Sequence, residues 1–80
     1  MTQDEILFKL RDVFRTIFED DTLVPRADMT AADVERWDSL SHIDMMMMVE
    51  SEFGVRFSTR EITSLKNVGE LVAIIRAKAG

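Results

Sequence analysis

Ser39, His42 and Asp44 occupy one short stretch of the chain and supply the three side-chain types of a hydrolytic relay, in which a histidine takes the serine proton and a carboxylate orients the ring. Placed about 100° apart per residue on a helix, Ser39 and His42 are about 60° apart and can approach each other. Asp44 is about 160° from His42 and cannot orient it from the same helix. No glycine-rich oxyanion loop accompanies them, so a hydrolase is disfavoured and His42 reads as a partly buried support for the neighbouring loop. Ser39 has a different use. With Asp38 as N-cap, its hydroxyl sits in the first turn of a helix, where unpaired N–H groups and a partial positive charge favour a nearby phosphate by roughly 0.3–1 kcal/mol. That hydroxyl is poised for esterification rather than for attack.

The elements that hold Ser39 follow from capping signals and periodicity. Thr2 followed by Glu5 is a capping box, opening a helix whose apolar residues Ile6, Leu10, Val13, Phe14 and Ile17 recur at three and four and which ends near Phe18 or Glu19. Between Asp20 and Arg36 the periodicity fails, and Leu23, Val24, Met29 and Val34 are scattered apolar anchors of a long loop, with Trp37 as a packing residue that fastens it. A second helix is expected over Ser39–Phe53 with Gly54 as a left-handed C-cap. Ser58–Glu61 is a further capping box before a short helix carrying Ile62 and Leu65, and Asn67–Glu70 repeats the device before Leu71, Val72, Ile74 and Ile75. The fold class is therefore all-α: a four-helix bundle with a long loop between helices one and two and a short third helix. Only Val55-Arg56-Phe57 could be briefly extended.

Composition narrows what such a fold does. Eighty residues with 46% hydrophobic content suit one globular domain spanning residues 1–80, which buries only about 60–65% of its unfolded surface and has little room for a deep cleft. No cysteine is present, so disulfides, thiolate nucleophiles and cysteine zinc sites are excluded, and one histidine cannot build a metal cage. The net charge of -5 would repel nucleic acid and favours basic protein partners. The polar, acidic start lacks the features of a secretory signal, and no run reaches the about 18 apolar residues of a membrane span, so a cytoplasmic monomer is expected.

The second helix has more apolar residues than one buried face needs. With Leu40 at zero, Met45, Met46, Val49 and Phe53 fall between about 140° and 240°, a stripe assigned to the core. Leu40, Ile43 and Met47 form a second arc between about 300° and 360°, flanked by Asp44 and Glu50. No lysine or arginine occurs from Trp37 through Val55, so this outer arc is an apolar patch edged with carboxylates, a pattern of interaction sites.

Asp38-Ser39-Leu40 after a long loop, at the head of an acidic second helix in an 80-residue four-helix chain, resembles an acyl carrier protein over nearly its whole length. The resemblance implies that Ser39, beside Asp38, receives 4'-phosphopantetheine from coenzyme A through a phosphopantetheinyl transferase, and that acyl groups ride on its thiol as thioesters. It implies a non-catalytic carrier whose recognition face of Leu40, Ile43, Asp44, Met47 and Glu50, with Phe57 just beyond, meets basic docking patches on acyl-loading and acyl-transferring enzymes. Cargo would be sheltered between helices by Val49, Phe53, Ile62 and Ile74. The resemblance implies service in a fatty-acid, polyketide-like or other specialised biosynthetic pathway, and the Trp-Asp-Ser-Leu motif, with Glu35-Arg36 where many fatty-acid carriers have Leu-Gly, is more similar to stand-alone carriers of dedicated secondary-metabolite, polyketide-like or surface-glycan pathways. An aminoacyl or peptidyl carrier, or a helical interaction module without a prosthetic group, stands as the alternative.

Overall fold

The computed structural model describes residues 1–79 and contains α1 (Gln3–Ile17), α2 (Ser39–Phe53), α3 (Thr59–Thr63) and α4 (Val68–Ala79), with a 3-10 turn at Ala31–Asp33 in the long connection after α1. Among the described residues no strand forms, and Val55–Phe57 is irregular backbone between α2 and α3. α1 packs along both α2 and α4.

Each start signal is used. At α1 the Thr2 hydroxyl accepts the Glu5 N–H at 3.2 Å and the Glu5 carboxylate accepts the Thr2 N–H at 2.9 Å. Ser58 and Glu61 make the same reciprocal pair at α3, at 3.1 and 2.8 Å. At α4 Asn67 accepts the Glu70 N–H at 2.9 Å, but the Glu70 carboxylate reaches the N–H of Lys66, one residue earlier than a capping box requires. Gly54 ends α2 with φ +66°, the left-handed conformation that a residue without a Cβ adopts at little cost.

Ile6, Leu10, Val13 and Phe14 bury one stripe of α1, and Phe18, the residue that ends this helix, is buried as well, its ring edge-on to Phe14 at 5.6 Å. Met45, Met46 and Val49 are fully enclosed on α2, and Val68, Leu71, Val72 and Ile75 complete the core from α4. At about 1.5–3 kcal/mol per fully buried large apolar side chain, this stripe of α2 is a principal source of stability.

The long loop is pinned through both its side chains and its backbone. Met29, Val34 and Pro25 are buried and Leu23 is half-buried, whereas Val24 is 56% exposed and is not the anchor expected from its type. The carbonyls of Met29 and Ala27 accept the N–H groups of Val68 and Gly69 at 2.9 and 2.8 Å, satisfying first-turn donors of α4 that have no intrahelical partner. Arg15 Nε donates to the Leu23 carbonyl at 2.8 Å, and Arg36 pairs with Glu19 at 2.6 Å. These contacts fix the approach of the chain to Trp37 and so the position at which α2 begins. Among the described residues, no helix is long and apolar enough to cross a membrane.

Candidate functional site

Two serines open α2, and their hydroxyls have different surroundings. Asp38, in extended conformation, accepts the Ser41 N–H at 2.9 Å through its carboxylate, and Ser41 Oγ accepts the Asp38 N–H at 2.8 Å while donating to the Arg36 carbonyl at 2.8 Å. This is a capping box built from Asp38 and Ser41, shorter-armed than the Ser/Thr-to-Glu form and not anticipated from the sequence. The backbone N–H of Ser41, and then its side chain, hold the Asp38 carboxyl below its ordinary value. Ser39 is left over. It is exposed, and none of the side-chain hydrogen bonds among the described residues uses its hydroxyl. The N–H groups of Ser39 and Leu40 lie in the first turn, where no carbonyl one turn earlier can accept them. A phosphodiester on Ser39 would therefore disrupt no hydrogen bond of the side chain and would meet the positive end of the helix.

Beside Ser39 lies a groove of about 690 Å³, walled by Trp37, Ile43, Ile62, Leu65 and Leu71 and reaching Lys66 at the loop before α4. His42 lies in the same wall and has no freedom to act as a base. Its Nδ1 accepts the Trp37 indole N–H at 3.0 Å, and its Nε2 is 2.7 Å from the Ile62 carbonyl oxygen. With both nitrogens engaged and Asp44 exposed to solvent, the Ser-His-Asp relay does not assemble. Among the described residues no cluster of histidine and carboxylate side chains could hold a metal ion.

The expected outer face of α2 divides. Leu40, Ile43 and Met47 are 77%, 51% and 63% exposed, an open apolar arc with the exposed Asp44 at its edge. Glu50 departs from the expectation. It is half-buried, and its carboxylate accepts the Phe57 N–H at 2.7 Å, fastening the connection to α3. Phe57 itself packs half-buried against the core. Of the four side chains expected to shelter cargo, only Ile62 lines the groove: Val49 is fully buried in the core, Phe53 packs beside it with the Lys9 ammonium 5.5 Å from its ring centre, and Ile74 is half-buried on α4. Trp37, His42, Leu65 and Leu71 line it beside Ile62. The one signal in the sequence for the first two is an indole donor five residues before an imidazole at the start of a helix.

A family model described as the phosphopantetheine attachment site matches residues 9–75. The chain is 31% identical over 78 residues to the acyl carrier protein of Petrotoga mobilis, covering 98% of this chain and 92% of that one. The chain belongs to the acyl carrier protein family. The acyl carrier protein of Acidothermus cellulolyticus is 29% identical over 75 residues, covering 94% of this chain and 89% of that one. The solution structure of the holo acyl carrier protein from Geobacter metallireducens superposes with a TM-score of 0.83 at 36% identity, covering 90% of this chain and 83% of that one. The all-helical carrier fold is thus shared, and the prosthetic group of this acyl carrier protein is 4'-phosphopantetheine. That group supplies a flexible arm ending in a thiol that holds acyl groups as thioesters.

Proposed function

We propose that Ser39 Oγ is the attachment atom of the prosthetic group, that Asp38 orients the turn carrying it, and that residues 1–80 act as one non-catalytic carrier domain. The observation that carries this reading is the contrast between the two hydroxyls: Ser41 is committed to the cap, whereas Ser39 is exposed, unengaged and beside the groove. The work of the chain's own residues is to hold that oxygen at a helix mouth and to offer apolar walls next to it. Each methylene of cargo laid against such walls contributes about 0.8 kcal/mol when fully buried. The cargo site starts at Ile62, and a chain long enough to reach the fully buried Val49 has to part the packed helices.

Partners of this carrier are a phosphopantetheinyl transferase and acyl-loading and acyl-transferring enzymes with basic docking patches, which meet Leu40, Ile43, Met47 and Asp44. The absence of lysine and arginine from Trp37 through Val55 supports this, since a helix face free of positive charge, with Asp44 exposed at its edge, steers basic partners and speeds exchange among them. The carrier works as a monomer in the cytoplasm, where coenzyme A is available for priming. The Trp-Asp-Ser-Leu motif favours a specialised biosynthetic pathway over housekeeping fatty-acid synthesis. Intact-protein mass spectrometry after incubation with coenzyme A and a broad-specificity phosphopantetheinyl transferase tests the reading. One arm per chain is expected, lost in Ser39→Ala and retained in Ser41→Ala; an arm that survives Ser39→Ala would refute it.

A further inference from the structure

We propose that His42 is a positioning residue that clasps α3 over the groove beside Ser39 and so sets how well a thioester on the arm is shielded from water. The inference rests on the reading of Ser39 as the attachment atom. An indole N–H can only donate, so His42 Nδ1, 3.0 Å from Trp37 Nε1, is an acceptor and carries no proton. The ring proton is then on Nε2, which donates to the Ile62 carbonyl at 2.7 Å. The imidazole lies nearly parallel to the indole, with centroids 6.0 Å apart and planes 21° apart. Trp37 is fixed in turn by Phe14, whose ring stands edge-on at 5.6 Å, and by Phe18 at the same distance. A continuous chain of contacts therefore runs from the buried end of α1 through Trp37 and His42 to α3.

That helix depends on such a clasp. It has five residues, none of them fully buried, and Ile62 is its one apolar side chain packed half-buried against the core. Its other polar fastenings are the Glu50 bond to Phe57 just before it and the half-exposed Glu61–Lys78 pair at 3.2 Å, a type of ion pair that contributes little. Segments with few buried contacts open locally at low cost, so one part-buried hydrogen bond is a large fraction of what keeps α3 in place. Trp37, His42 and Ile62 line the groove together with Ser39, so displacing α3 changes the width of that groove directly.

The test uses the primed protein carrying an octanoyl thioester, with hydrolysis followed by intact mass and compared with free octanoyl-pantetheine. His42→Leu and the polar but shorter His42→Asn should hydrolyse about three- to tenfold faster than wild type, the factor expected for losing one part-buried hydrogen bond. His42→Gln, whose carbonyl and amide reproduce the acceptor and the donor, should stay within about twofold of wild type. In the unprimed protein, amide exchange over Thr59–Thr63 should rise by a similar factor in the Asn variant while the amides of Ile6–Phe14 keep their protection. Equal hydrolysis in all four proteins overturns the clasp while leaving Ser39 as the attachment atom. Faster exchange throughout α1 as well as α3 shows that His42 merely supports the whole fold, and also overturns it. A wild type that gains no arm overturns the Ser39 reading and the shelter claim with it.

Discussion

Asp44 and Glu50 look alike on a helical wheel, and the structure separates them sharply enough for a double test. Glu50→Lys removes the acceptor of the Phe57 N–H, a 2.7 Å bond to a carboxylate at a half-buried position. Hydrogen bonds to charged groups contribute about 1.5–3 kcal/mol, and because water reaches part of Glu50 the expected loss is about 1–2 kcal/mol. For a domain of this size each kcal/mol shifts Tm by about 4–8 °C, so a fall of roughly 5–15 °C is expected in a far-ultraviolet circular dichroism melt. Glu50→Gln keeps an acceptor and should lose less than about 1 kcal/mol. Asp44→Lys should leave Tm within the about 0.5 kcal/mol typical of exposed sites and instead slow transfer of the arm by the transferase, with the defect shrinking as salt is added. A Glu50→Lys protein melting with wild type, or a Gln variant as unstable as the Lys variant, would show that the bond to Phe57 does not hold the α2–α3 connection.

Gly69→Ala tests the junction between the long loop and α4. A Cβ there would lie 3.0 Å from the Ala27 carbonyl oxygen and 3.3 Å from Asn67 Oδ1, so the loop must move and the Gly69 N–H bond to Ala27 must stretch; a loss of about 1–3 kcal/mol in urea unfolding is expected, and an unchanged midpoint would contradict the close approach. Acid should act on the capping carboxylates and on the Asp20 turn in the long loop. Glu5 and Asp38 are held below their ordinary values of 4.5 and 3.8 chiefly by the backbone of Thr2 and Ser41, Glu61 chiefly by the backbone of Ser58, and Asp20 chiefly by the Thr22 hydroxyl. The folded state therefore binds fewer protons than the unfolded chain in this range, so their contribution is complete above the ordinary carboxylate values and is lost as pH falls through the lowered ones. Melts at decreasing pH should show a Tm that declines once the pH passes below those ordinary values, and a Tm flat through the acid range would refute the assignment of stability to the caps.

What could be read from the residues was what is written locally along the chain. The bounds of α2, its Asp38 and Gly54 ends, the boxes at Thr2 and Ser58, and the division of α2 into an enclosed and an open arc all follow from spacing, and the structure has them. The rest needed neighbours that spacing does not name. A wheel gives the direction of Glu50 but not the Phe57 N–H waiting there, and it places Val49 and Phe53 on one inner face without saying that the core closes over Val49 and leaves Phe53 half-buried at its edge. Val24 and Pro25 show the same limit in the loop, where no period tells which side faces inward, and the proline is enclosed while the valine is not. The groove combines the start of α2, α3 and the loop before α4, so its walls became visible only once those segments were brought together in space.

The grip of the long loop on α4 is made by main-chain oxygens of Ala27 and Met29. A carbonyl is the same whatever residue bears it, so this joint is indifferent to the identity of most outward side chains around it. Exposed positions such as Arg26 and Asp28, which lie outside the groove, are thus open to rewriting by drift or by an engineer, and a charge-altered patch could be grafted there without disturbing the open arc of α2 or the surroundings of Ser39.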